Sequence, residues 1–210
     1  RDACVCEYDN PFAQRGEQAS TSTAFGSPGE SYSDTAATPM APGYLTNIEL
    51  TCASCTSQTQ TGAVYTRWGR DTCPSGHTTI YTGYMGGARH DGDIGGSNYL
   101  CLTSDMGLSD YGTAAQRTAA HNLYRVEYVN NGGLSSLADL STLDAVCSKC
   151  QTPGRSWSLD VIGRDDCPTG FTVDYSGYLM TETFNGKRAQ FICVDGAPQG
   201  LAGSSADLAS

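Results

Sequence analysis

Two stretches of this 210-residue chain repeat each other. GRDTCPSGHTTIYTGY (residues 69–84) and GRDDCPTGFTVDYSGY (residues 163–178) agree at ten of sixteen positions without a gap. A cysteine stands at the same place in each, Cys73 and Cys167. Each copy is preceded by a C-x-x-C, Cys52/Cys55 in TCASCT and Cys147/Cys150 in VCSKCQ. Each is followed by one further cysteine in a hydrophobic stretch, Cys101 in SNYLCL and Cys193 in AQFICV. Eight of the ten cysteines therefore obey one rule. A period of roughly ninety-five residues is far longer than the ~20–50 residues of a solenoid repeat or propeller blade. The expectation is two similar subdomains packed together.

Ten cysteines in a chain of this size, an even number, fit a closed disulfide framework and a secreted protein. Zinc is the competing reading, because the two C-x-x-C pairs supply four thiolates. It would leave six cysteines at matched single positions unexplained. A thioredoxin-like motif fits less well, since neither C-x-x-C stands between a parallel strand and a helix. With 22 acids against 12 bases and a pI near 4.5, the chain lacks the positive face that nucleic-acid phosphates require. No window reaches the ~18 consecutive apolar residues of a membrane span. The sequence begins at Arg1 without an apolar leader, so any signal peptide is expected to have been removed.

Along the chain, residues 1–43 are rich in Ser, Thr, Ala, Gly and Pro. This composition buries too little apolar surface to offset the entropy of ordering it, and predicts an extended arm. Its hydroxyls beside prolines are candidate O-glycan sites, whereas N-x-S/T sequons are absent. From Tyr44 the texture changes to short β-prone runs: YLTNIELTC, AVYTRWG, TTIYTGYM, NYLCL, LYRVEYV, WSLDVIG, FTVDYSGYLM and AQFICV. Several alternate apolar and polar residues, and Gly- and Pro-containing turns separate them. TAAQRTAAHNLY and SSLADLSTLDAV read as short helices. The fold class is mostly β: two homologous disulfide-closed subdomains with an extended N-terminal arm. Residues 44–104 form the first subdomain, with its closing C-x-x-C strand at the start. Residues 105–146 connect, and 147–210 form the second subdomain and a tail. In the doubled C-P-[ST]-G, Pro fixes φ and Gly permits positive φ, so each copy makes a tight turn anchored by its cysteine.

Catalytic patterns are absent. The three histidines, His77, His90 and His121, show no metal-ligand spacing, and His77 is replaced by Phe171 in the second copy. There is no G-x-S-x-G, no phosphate loop with its lysine and no H-E-x-x-H. HDGDIGGS offers Asp91 and Asp93, but the position of a calcium loop's closing Glu is Leu102. Asp165 and Asp166 beside Arg164 read as a solvated, ion-paired turn. No enzyme activity, cofactor or metal is expected.

The motifs AVYTRWGRDTCPSG, YTGY, GGSNYLCL, CSKC, CPTG, YSGYLM and FICVD resemble the globular domain of invertebrate short-chain, spongin-type collagens, over about residues 44–205. That domain is in turn similar to the C-terminal non-collagenous domain of type IV collagen. The resemblance implies an extracellular-matrix module that oligomerises and has no catalytic residue, although no G-x-y tract is present here. It also implies that the C-x-x-C following each half closes it: Cys73 with Cys150, and Cys101 with Cys147. The second half has no cysteine after Cys193. The closing segment of the family resembles APGYLTNIELTCASC, which here stands at residues 41–55, transposed to the front. Closure would then join Cys167 to Cys55 and Cys193 to Cys52, either within a permuted chain or between neighbours. Contact between neighbours is head-to-tail and generates open helical filaments when it does not close into a ring, and it is strand addition. Cys4 and Cys6 are expected to bond a neighbour or another segment.

The functional expectation is a secreted, extracellular structural protein whose partners are copies of itself, self-assembling into a fibre or matrix by N-terminal strand donation. The alternative is a soluble carbohydrate-binding, lectin-like module. In it Trp68, Tyr65 and Trp157 would stack on glycans, against the competing role of core or interface packing.

Overall fold

A computed structural model describes residues 29–31, 48–49, 52–57, 61–88, 98–105, 121–129, 134–183, 186 and 189–204. Most of the N-terminal arm, with Cys4 and Cys6, lies outside the described residues, as do His90, Asp91 and Asp93. The described strands are β1 (Gly29–Ser31), β2 (Ile48–Glu49), β3 (Gly62–Trp68), β4 (Thr78–Gly87), β5 (Leu100–Thr103), β6 (His121–Arg125), β7 (Val146–Pro153), β8 (Gly177–Met180) and β9 (Ile192–Asp195). They join in one mixed sheet of order β2-β1-β6-β4-β7-β3-β9-β8, with β5 paired to β4. Among the described residues the only helix is a 3-10 turn at Ser135–Leu137.

Strand β7 is the centre of this sheet. It runs antiparallel to β3, from Trp68↔Cys147 to Gly62↔Pro153, and antiparallel to β4, from Tyr84↔Val146 to Thr78↔Gln151, with an irregularity near Thr79. A strand paired on both edges and covered on both faces leaves no side for solvent, and Cys147 and Cys150 are both 0 % exposed. Each is fixed by a disulfide, Cys147 to Cys101 and Cys150 to Cys73, with Cα separations of 5.8 and 5.7 Å. Both lie in the ordinary range for a disulfide.

The core gathers Met85, Tyr128, Leu137, Ala145 and Cys147, and is capped by Ile192 and Val194 of β9. Residues 121–145 thus supply core, through Tyr128 and Leu137, as well as connecting the two copies. Gly69 sits at φ +86, where a Cβ would press on Val194 Cγ1 at 2.9 Å. Glycine is required there for both conformation and space.

The repeated sequence makes repeated local structure. The turn after each C-P bonds His77 N–H to the Pro74 carbonyl (3.1 Å) and Phe171 N–H to that of Pro168 (3.0 Å). The Tyr81 hydroxyl donates to the Cys101 carbonyl (3.1 Å) and that of Tyr175 to the Cys193 carbonyl (2.8 Å). Hairpins β4–β5 and β8–β9 share one register: Gly83↔Thr103 and Met85↔Cys101 against Gly177↔Asp195 and Leu179↔Cys193. At Gly83 and Gly177 a Cβ would enter the Leu102 and Val194 carbonyls respectively, which is why both copies write Gly-Tyr.

Two helix expectations differ from the structure. SSLADLSTLDAV is not a helix beyond its 3-10 turn, because Tyr128 draws it into a backbone ladder. Thr142 N–H donates to the Tyr128 carbonyl (2.7 Å) and Tyr128 N–H to that of Leu143 (3.0 Å). The end of TAAQRTAAHNLY is strand β6, paired with β1 and β4. Residues 113–120 lie outside the described residues.

Candidate functional site

In the first copy, β7 fills the space between β3 and β4. An advance of ninety-four residues, the offset of the repeat, puts residues 156–162 in the place of β3 and the segment ending in β8 in the place of β4. Residues 155–176 carry no strand, and among the described strands β8 pairs with β9 alone. Where the first copy has β7, the second has an open cavity of about 330 Å³, lined by Trp157, Asp160, Cys167, Phe171, Asp174 and Cys193. Cys167 and Cys193, the counterparts of Cys73 and Cys101, are half-buried free thiols.

Apolar side chains of the second copy are exposed, Leu159 and Val173 in the cavity lining and others outside it. Leu179 is 46 % exposed, where its counterpart Met85 is 3 %. Phe191 is 65 % exposed, where its counterpart Tyr99 packs against the core. Leu159, Ile162 and Val173 are exposed as well. The second copy thus presents in the open the faces that the first copy covers.

Burial pushes the Cys193 thiol up, and the Asp160 and Asp195 carboxylates push it further. The Tyr175 phenol, raised chiefly by burial, also donates to the Thr66 carbonyl (3.2 Å), tying the slot floor to β3. Arg67 reaches across the same boundary to Asp195 through Nε (2.8 Å) and Nη2 (2.7 Å). No protein-family model and no solved structure matches the chain.

Of the cysteines singled out in the sequence, the structure brings together Cys73 with Cys150 and Cys101 with Cys147. It does not bring Cys52 and Cys55 to Cys193 and Cys167 within one chain: Cys167 and Cys193 are free thiols, and Cys52 and Cys55 are exposed. Cys52 lies three residues beyond β2, at one end of the sheet order, and β8 is at the other end. With strands spaced ~4.8 Å apart, the two ends are roughly 30 Å from each other.

His77 lies at the boundary between the two copies. Its Nδ1 is hydrogen-bonded to the Tyr65 hydroxyl (2.7 Å), and its Nε2 lies 3.7 Å from Asp174 Oδ1, so it bridges the two copies. Arg164 pairs with Asp166 on an exposed turn (2.6 and 2.8 Å). Of the three aromatics considered for sugar stacking, Trp68 packs against the core. Tyr65 stacks on Tyr175 at 6.2 Å, and only Trp157 is well exposed, edge-on to Phe171 at 5.1 Å. Among the described residues no group of three His, Cys, Asp or Glu is disposed to hold a metal, and no helix is long and apolar enough to cross a membrane.

Sequence reasoning overlooked how far the two closing segments agree. TLDAVCSKC (residues 142–150) and NIELTCASC (residues 47–55) share an apolar residue, an acid, an apolar residue, a β-branched residue and C-x-x-C, in that order. The first of these is β7 and the residues leading into it.

Proposed function

We propose that this chain is a secreted structural protein that assembles head-to-tail into an extracellular fibre or matrix. Each copy donates its residues 47–55 as a strand to the slot in the second half of a neighbour. One observation carries the reading: the second copy holds two free thiols around a cavity where the first copy has β7, while the exposed Cys52 and Cys55 follow β2 at the opposite end of the sheet order. In this reading the halves are homologous subdomains, and Cys52 bonds Cys193 while Cys55 bonds Cys167, as Cys147 bonds Cys101 and Cys150 bonds Cys73. A donor and an acceptor on opposite ends make a heterologous contact, which propagates. The strand supplies main-chain hydrogen bonds, and its alternate side chains supply specificity. Kinship with spongin-type collagens and extracellular localisation belong to the same proposal. They are supported by the shared motifs and by a disulfide framework of the kind oxidising compartments maintain.

The test is non-reducing peptide mapping of light and heavy isotopic protein assembled together. Peptides linking Cys52 to Cys193 and Cys55 to Cys167, with light joined to heavy, are expected. Links confined to one isotope would mean a permuted, self-closed domain.

A second reading, a carbohydrate-binding module, is favoured by one feature: the exposed Trp157–Phe171 pair beside a cavity with acidic walls. Monodisperse protein that binds glycans, and loses that binding on Trp157→Ala, would establish it over the fibre.

A further inference from the structure

The fibre reading leaves a pattern unexplained. Six of the twelve exposed large apolar side chains among the described residues fall at repeat positions whose counterparts are engaged in the junction between the two copies. That junction has four elements. His77 of the first copy faces Asp174 of the second, Tyr65 stacks on Tyr175, Trp68 pairs with Val194, and Ile192 and Val194 cap the core beside Met85. Advancing each first-copy partner by one repeat, and returning each second-copy partner to the first copy of a following chain, gives the junction's translated image. His77–Asp174 becomes Phe171–Ile80, and Tyr65–Tyr175 becomes Leu159–Tyr81. Trp68–Val194 becomes Ile162–Leu102, and Ile192 beside Met85 becomes Leu100 beside Leu179.

Phe171, Ile80, Leu159, Ile162, Leu100 and Leu179 are all exposed in the single chain. Ile80 is 50 % exposed and Leu100 44 %, although each lies in a strand of the well-packed half. A polar pair inside the chain is thus matched by an apolar pair at its ends. Strand β5 has the edge this needs, since among the described strands it pairs with β4 alone.

We propose that consecutive copies dock by repeating, between molecules, the junction that joins the two halves within one. β5 of the following chain lies beside residues 156–162, its Leu100 and Leu102 cover Leu179 and Ile162, and its Ile80 meets Phe171. This rests on the fibre reading and adds to it a second contact, carried by β5 and Ile80 of the following chain, which shares Leu159 and Phe171 with the cavity lining. The occupant is a second copy of this chain, because the exposed positions on its head are the repeat counterparts of the residues that already fill the same place within one molecule. The internal junction keeps the Arg67–Asp195 ion pair, whose translated image is Val161 and Thr103. The contact between molecules is therefore the less polar of the two.

The test uses the full chain with Ile80→Asp, Phe171→Lys and both together. Ile80 is half exposed, so Ile80→Asp should leave the melting temperature of unassembled protein near the parent's, whereas Phe171→Lys gives up the edge contact with Trp157 and should lower it slightly. Each single substitution buries a lone charge at the contact and should raise the concentration needed for assembly about tenfold or more. The double variant places each Lys against the next chain's Asp and should recover to within about threefold of the parent. Singles that assemble like the parent, or a double no better than the worse single, overturn the docking surface. If light–heavy disulfides from Cys52 and Cys55 still form in that case, strand donation stands alone. If the parent itself stays monodisperse and forms none, both readings fall.

Discussion

In the proposed assembly, Cys193 is the residue on which closing the second half turns. It lies half-buried beside Asp160 and Asp195, and burial together with those two carboxylates disfavours its thiolate. The thiolate is the species that attacks a disulfide or an alkylating agent, so Cys193 should react slowly at neutral pH and gain rate as pH rises past the ordinary thiol range. Replacing Asp160 with Asn removes a negative charge, lowers the thiol pKa and raises the thiolate fraction. Because nucleophilicity falls as pKa falls, the net gain in iodoacetamide labelling near pH ~8 should be only about two- to threefold. Labelling followed by peptide mass spectrometry measures it site by site. An unchanged rate would mean that burial and Asp195 hold the thiol, and that Asp160 has no part in timing the closure.

At the level of strands, β7 shows what a closing segment contributes once seated. It is paired along both edges and pinned by disulfides spanning 77 and 46 residues of sequence. Removing either pair as a double Cys→Ala change should cost about 4 kcal/mol, since loops of these lengths restrict the unfolded chain strongly. The urea midpoint of unassembled protein would report it. The same strand shows what was legible in the sequence. Alternation in TTIYTGYM and the C-P-[ST]-G turns announced β4 and its anchor, and the repeat announced two hairpins of one register. WSLDVIG and the start of FTVDYSGYLM read equally well as strands, yet residues 155–176 form none. Periodicity assigns side chains to faces, but a strand exists only where another backbone is present to bond it. Ser135–Val146 failed as a helix for the converse reason, because a long-range ladder to Tyr128 outweighed local helical spacing. The slot itself was invisible in the sequence: its lining mixes ordinary polar and apolar residues, and only the exposure of side chains whose counterparts are covered marks it.

For the whole molecule, the decisive property is polarity. The donor segment and the slot stand at opposite ends of the sheet order, so a chain that has given its strand still has a slot to be filled. A two-fold contact would satisfy both sites in a dimer and stop, whereas a head-to-tail contact whose rotation does not close into a ring continues until an end is blocked. Full-length chain carrying Cys167→Ser and Cys193→Ser blocks one end by design. It can still donate Cys52 and Cys55 to a neighbour, but it cannot be covalently closed itself. Mixed into the parent before oxidation, it should end each covalent run that it joins. One such chain in ten should therefore limit runs to about ten chains on average, and one in three to about three. Non-reducing gel electrophoresis reads the ladder directly, and reduction should collapse it to a single band. The reciprocal chain, Cys52→Ser with Cys55→Ser, should shorten runs by the same factor from the other end. A ladder that stops at two at every mixing ratio would require a closed, two-fold assembly and would remove the filament from consideration.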